Sequence, residues 1–491
     1  MRESGILMHI TSLPSKYGIG TMGKCAYDFV DFLQKAGQRY WQILPLSPTG
    51  YGDSPYQAFS TFAGNYYLID LDKLMEEGLL EKEEVESLSW GSNPARVDYG
   101  CLYENRNKLL RMAYKRFVPD ATFDAFVSDN ADWLEDYALF MSLKEKVQGK
   151  AWQSWSLSLM MRFPDVLEDC RTELKENIGF QKFLQYLFFC QWDALRAYAN
   201  KKGIRIIGDV PIYVPLDSAD VWAEPGLFQL DASCRPKRVA GCPPDSFSAD
   251  GQLWGNPLYD WDKMKETGYA WWIRRLSAAA RMYDVVRFDH FRGFESFWSI
   301  PAGDKTAANG CWVKGPGHDF IEAVRNALPD LDFIAEDLGF VTPEVRKLQE
   351  DSGYPGMKVL QFAFDSRESS DYLPHTYPVN SVCYSGTHDN LTMVQWLQEA
   401  APEDIAFAKA YLGLSEEEGY IKGIIRGCMG SVSRLCVIQM QDYLELGAFA
   451  RMNFPGTLSS DNWSWRAEEG FITPELTERI YETTRIYGRL S

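Results

Sequence analysis

Three acidic side chains stand where apolar, strand-like runs give way to polar residues: Asp289 after Val-Val-Arg-Phe, Glu336 after Phe-Ile-Ala, and Asp389 after Ser-Gly-Thr-His. They lie 47 and 53 residues apart, each spacing roughly one or two strand-plus-helix units. Two carboxyl groups about 5 to 5.5 Å apart across a glycosidic bond can run a retaining displacement, one as nucleophile and the other as acid and then base. A third carboxylate nearby can hold sugar hydroxyls and keep the acid protonated near neutrality. Taken singly, each acid reads more simply as the cap of a following helix. The neighbours shift that weighting. Arg287 precedes Asp289 by two residues, so in a strand it points to the same side and can keep the carboxylate ionised. His388 beside Asp389 can donate to a sugar hydroxyl, and Asp209, after Ile-Ile-Gly, adds a further acid to the same rim.

Such residues meet only if the strands that carry them converge. Eight short β-leaning runs, at residues 6–10, 40–44, 205–208, 285–288, 332–335, 358–364, 382–385 and 435–440, alternate with helical patterns. In the first of these helices Tyr27, Phe29, Val30, Phe32 and Leu33 share one face, and Lys35-Ala36-Gly37 supplies a stop. The expected fold class is α/β, a (β/α)8 TIM barrel spanning 1–491 as a single catalytic unit, with inserted subdomains and no separate C-terminal β-domain. One insertion, residues 51–200 between the second and third strands, is expected to be mainly helical, with Trp133, Tyr137, Phe140, Met141 and Lys144 on one face. The other, residues 212–275 between the third and fourth strands, is expected to be an irregular lid or substrate loop. Its 215–257 stretch holds six prolines and no sustained period.

The formal net charge of −18 repels phosphate backbones and anionic lipid, which excludes nucleic acid and membrane surfaces and leaves neutral substrates. The most apolar segment, residues 183–192, is broken by Gln185 and Gln191, and the N-terminal residues show no apolar signal region. Ten cysteines without a C-x-x-C pair suit reduced thiols in a cytoplasmic protein. Five scattered histidines, with no H-E-x-x-H, calcium-loop or Walker pattern, predict no metal and no cofactor.

Several longer motifs bear on function: Tyr-Gly-Asp-Ser-Pro-Tyr-Gln (51–57), Gly-Asp-Val-Pro-Ile-Tyr-Val (208–214), and Pro-Pro-Asp-Ser-Phe-Ser (243–248) with Leu-Trp-Gly-Asn-Pro-Leu-Tyr (253–259). Val-Arg-Phe-Asp-His-Phe-Arg-Gly (286–293), Ile-Ala-Glu-Asp-Leu-Gly (334–339), Gly-Thr-His-Asp-Asn (386–390) and Arg-Met-Asn-Phe-Pro-Gly-Thr (451–457) follow. Together they resemble glycoside hydrolase family 77, the 4-α-glucanotransferases. The likeness runs from about residue 5 to Asn462-Trp463-Ser464-Trp465-Arg466.

The resemblance implies Asp289 as nucleophile, Glu336 as general acid/base and Asp389 as transition-state stabiliser. It implies Arg287 and His388 as their immediate helpers, and Ser54, Tyr56, Asp209, Trp254, Asn453 and Pro455 along the glucan path. Phe247 matches an aromatic near the acceptor side, while Ser246 stands where some members carry a second one. The implied partners are α-1,4-glucans and malto-oligosaccharides, with glucose as an acceptor. The aromatic content of 14% fits a groove whose rings stack on sugar C–H faces, with Trp222, Phe228, Phe247 and Trp254 as platforms and most other tryptophans in the core. The residues alone leave open an α-glucan hydrolase on the same barrel; only the resemblance favours transfer. A non-catalytic glucan-binding protein is a further alternative, against which three acids on strand ends beside Arg287 argue.

Overall fold

The computed structural model describes residues 2–244, 248–367 and 370–490. Its strands, in chain order, begin with β1 (Glu3–Leu7), β2 (Tyr40–Gln42), β3 (Arg205–Val210), β4 (Arg238–Cys242), β5 (Gln252–Pro257) and β6 (Val285–Phe288). There follow β7 (Ser296–Pro301), β8 (Cys311–Lys314), β9 (Asp332–Ala335), β10 (Gly356–Val359), β11 (Ser381–Tyr384) and β12 (Leu435–Gln439). Among the described residues, eight parallel strands close into a barrel in the order β1-β12-β11-β10-β9-β6-β3-β2, the (β/α)8 TIM fold. Barrel strands are covered on both faces, so they read as continuous apolar runs rather than alternating ones. All four residues of β6, Val285, Val286, Arg287 and Phe288, are buried.

Strand and helix limits follow from what each run buries. Helix Lys24–Lys35 turns Ala26, Phe29, Val30, Phe32 and Leu33 inward, and Gly37, at φ 70°, takes the chain out of it. Three expected strands need correction, and the simplest is the run at 40–44, which is strand only to Gln42. The run at 358–364 is strand only to Val359, after which Leu360–Ala363 forms a 3-10 turn pinned by Gln361 donating to the Leu391 carbonyl at 2.5 Å. The run at 6–10 is strand only to Leu7, and Ile10 lies in the turn Ile10–Ser12. Both turns are as buried as strand, so apolar content does not separate them.

Between β2 and β3 the chain is largely helical and ends in the long helix Lys175–Lys201, which feeds β3. Its two interrupting glutamines are structural. Gln185 accepts from the Gly64 N–H at 2.7 Å and donates to the Gly64 carbonyl at 3.0 Å, and Gln191 pairs in the same way with Asp70. Buried backbone that no strand or helix pairs is thereby satisfied. In helix Ala131–Lys146, buried Lys144 reaches Asp217, beyond β3, at 2.5 Å and so ties this helical region to the segment after β3.

The stretch 215–257 is not irregular throughout, as expected, but carries β4 and β5. With β7 and β8 they make a four-stranded antiparallel sheet in the order β5-β4-β7-β8. Pro236, Gly241, Gly251, Gly255 and Pro257 break the strand pattern, and the sheet becomes complete only after β6 has been laid down. Trp222 and Phe228 are also corrected. Neither lines a groove: Trp222 packs against Phe140 and Trp155, and Phe228 against Tyr259 and Trp271, all in the core. Among the described residues no helix is long and apolar enough to cross a membrane.

Candidate active site

The mouth of the barrel is organised by a buried guanidinium. Arg287, inside β6, donates from Nη1 to Asp209 Oδ2 at 2.6 Å and to Asp289 Oδ1 at 3.2 Å, joining the ends of β3 and β6. The register Asp209↔Arg287 across these two strands makes the contact possible. Asp209 Oδ2 also accepts from the Tyr56 hydroxyl at 2.7 Å. Burial and neighbouring Asp209 push the Tyr56 pKa well above its ordinary value, so it remains a phenol and a donor.

Glu336 follows β9 and is buried, about 8% exposed. The His290 N–H donates to its Oε2 at 2.6 Å and the Leu338 N–H to its Oε1 at 2.9 Å, fixing both oxygens. Burial raises the pKa of Glu336, while Arg287 and the two backbone donors pull it down. Burial likewise raises Asp289; Arg287 opposes it, and the charges of Asp209, Glu336 and Asp389 reinforce it. The charge of Glu336 thus makes ionising Asp289 harder.

Asp389 is held from the C-terminal side of the chain. Asn453 Nδ2 donates to its Oδ1 at 2.6 Å, and Arg451 donates to its backbone carbonyl at 2.8 Å. Its side chain stays 46% exposed at the mouth. His388 Nε2 lies 3.4 Å from Asp389 Oδ2. Burial lowers the His388 pKa more than Asp389 restores it, and Arg287 adds to the depression, so the ring is neutral. It stacks on Tyr56 at 5.1 Å, and Trp463 packs against both rings, at 5.7 Å from Tyr56 and 5.9 Å from His388. Trp254 meets His290 edge to face at 4.9 Å.

Arg287, Asp209, Asp289, Tyr56, His388, Asp389, Asn453, Glu336 and Trp254 are thus linked by direct contacts or through His290 and Trp463. Two residues on the implied glucan path are placed differently. The Ser54 hydroxyl accepts from the Tyr56 N–H at 3.3 Å and shapes the 51–57 turn, and Pro455 is exposed, two residues beyond Asn453. Phe247 and Ser246 lie outside the described residues. Sequence reasoning missed His290, Arg451 and Trp463, although each falls in a motif quoted above. Among the described residues no group of three His, Cys, Asp or Glu side chains is arranged to hold a metal ion.

A geometry of this kind has known relatives. The glycoside hydrolase family 77 model, described as 4-alpha-glucanotransferase, matches residues 8–473. A 4-alpha-glucanotransferase of Clostridium butyricum is 50% identical, covering 98% of this chain and 100% of its own; one of Thermus thermophilus is 48% identical over 100% and 99%. Among solved structures, the amylomaltase of Streptococcus agalactiae in complex with acarbose superposes with a TM-score of 0.97 at 42% identity over both whole chains.

Proposed function

The chain belongs to glycoside hydrolase family 77, the 4-alpha-glucanotransferases, and from that premise we propose how its residues move an α-1,4-glucan segment to a new 4-hydroxyl with retention. Asp289 attacks the anomeric carbon while Glu336 gives its proton to the departing oxygen, so the glycosidic C–O bond breaks as an ester bond to Asp289 forms. In the second half Glu336 takes the proton of an acceptor 4-hydroxyl, whose oxygen displaces Asp289 and restores both carboxyl groups. Arg287 favours the ionised form of Asp289, and Asp389 faces the positive charge that develops on the sugar ring. Neutral His388 and Asn453 are hydrogen-bonding partners for sugar hydroxyls or for Asp389 itself. Every step draws on side chains alone.

The observation that carries this reading is how the two carboxyls are held: Asp289 beside Arg287, and Glu336 by two backbone N–H groups. A carboxyl beside a guanidinium and a second carboxyl whose burial raises its pKa suit a nucleophile and acid couple. The substrates are α-1,4-glucans and malto-oligosaccharides, with glucose among the acceptors. We infer that the chain, 1–491, is one catalytic unit with residues 51–200 and 212–275 as insertions, and that it works in the cytoplasm, where thiols such as buried Cys383, Cys428 and Cys436 stay reduced. Incubation with maltotriose tests the function. Glucose together with longer oligomers means transfer; shortening alone means hydrolysis, and an unchanged sugar means binding only.

A further inference from the structure

The short edge strand β8 is exposed along its whole length, and it carries a tryptophan, Trp312, that is 37% exposed. One face of that ring is already occupied: the Arg292 guanidinium lies 3.7 Å from its centroid, and Trp298 meets it edge-on at 5.1 Å. Arg292 is itself buried, donates from Nη2 to Ser296 Oγ at 2.9 Å, and from Nη1 to the Phe340 carbonyl at 2.5 Å. Phe340 is 69% exposed.

These contacts connect the sheet to the catalytic centre through short stretches of chain. Arg292 is three residues beyond Asp289, and Phe340 is four residues beyond Glu336. A single buried arginine therefore lies against the Trp312 ring and holds the Phe340 backbone carbonyl, so two exposed aromatic residues share one support close in sequence to Asp289 and Glu336. A tryptophan backed by a guanidinium cannot sink into the core, so its free surface stays presented to solvent. Lys314, two residues beyond Trp312 on the same strand, is paired with Glu295.

We propose that Trp312 and Phe340 form a glucan-binding platform that holds acceptor sugars beyond the one receiving the new bond. The inference rests on the transferase reading, because it takes Glu336 to serve the oxygen of the leaving and incoming sugars, which places its side of the mouth on the acceptor side. The occupant is a neutral α-1,4-glucan chain continuous with the one in the mouth. It offers apolar C–H faces to the two aromatic rings and no charge. A ring that served only to clamp Arg292 would support the reaction equally for every acceptor.

The test compares acceptors of two lengths with one activated donor, maltosyl fluoride, and measures kcat/KM for glucose and for maltohexaose. Trp312→Ala and Phe340→Ala are each expected to lower the maltohexaose-to-glucose ratio about tenfold, the scale of one well-placed aromatic contact. Trp312→Phe should restore most of it. Because Phe340 is so exposed, Phe340→Ala reports on the platform even where Trp312→Ala unsettles Arg292. Equal losses on both acceptors, or an unchanged ratio in Phe340→Ala, overturn the platform. Wild-type enzyme that elongates neither acceptor would instead overturn the transferase reading, an outcome seen before any variant is made.

Discussion

The His290 N–H donates to Glu336 Oε2 at 2.6 Å from a residue in the left-handed region, at φ 54° and ψ 49°. That conformation costs a non-glycine residue about 1 to 2 kcal/mol, so surrounding contacts must hold it. The ring is held against Trp254. Glycine adopts the same backbone freely, whereas a β-branched side chain opposes it. His290→Val should therefore turn the N–H away, remove a donor that favours the carboxylate, and raise the Glu336 pKa. On the proposed mechanism transfer needs protonated Glu336, so the alkaline limb of kcat/KM should move up, and activity should fall. His290→Gly should leave that limb in place. Profiles of kcat/KM against pH for the two variants decide it; coincident limbs would show that the N–H does not tune the acid.

Asp289 and Glu336 should separate by donor. Asp289→Asn removes the attacking charge and should cut transfer by roughly 10⁴-fold or more with every donor. Its melting temperature should not fall, because burial and the charges of Asp209, Glu336 and Asp389 outweigh the Arg287 contact of the carboxylate that is lost. Glu336→Gln should lose far more activity on maltotriose than on maltosyl fluoride, since fluoride departs without a proton. Equal losses on the two donors would remove Glu336 from the acid role.

Asn453 is the side chain that orients Asp389. Without its amide, Asp389 Oδ1 loses a donor at 2.6 Å, although Arg451 still holds the backbone. Asn453→Ala should lower kcat about 10- to 100-fold with a smaller change in KM, and Asn453→Asp should be worse through like-charge repulsion. Steady-state kinetics with maltotriose check this. A rise in KM alone would make Asn453 a substrate contact rather than a support for Asp389.

The barrel was legible because its strands are buried on both faces: Val285-Val286 and Phe333-Ile334-Ala335 announce themselves as apolar runs. The three acids were legible because each ends or closely follows such a run. The small sheet was not, since β5 reads Gln-Leu-Trp-Gly-Asn-Pro, with glycine and proline where β-branched residues would have marked a strand. The supports of the site were hidden for another reason. Arg451 meets Asp389 across 62 residues and Tyr56 meets Asp209 across 153, and no local period records such a contact. Prolines mark the stretch around Trp222 and Phe228 as a loop, but loop composition carries no information on which side chains turn inward, and both are buried.

His9 offers a measurement of folding that is independent of activity. It lies just beyond β1, is nearly fully buried, and its Nδ1 accepts from the Leu44 N–H at 3.2 Å, a bond that requires the neutral ring. Burial, with a smaller contribution from nearby His388, pushes its pKa down to about 3. In the unfolded chain the imidazole titrates near 6.5, so the unfolded state binds the proton first as pH falls. Stability from this residue is complete above about pH 6.5 and is lost progressively toward pH 3. By pH 5 the loss is about 2 kcal/mol. Buried Asp220 and Asp442, both raised to about 6, act in the opposite sense, losing their contribution as pH rises, so the total curve does not isolate His9. A difference between two proteins does. His9→Asn binds no proton, so its deficit against wild type in urea unfolding at about pH 8 should shrink by about 2 kcal/mol at about pH 5. An equal deficit at both pH values would mean that His9 takes up its proton in the folded protein as readily as in the unfolded one.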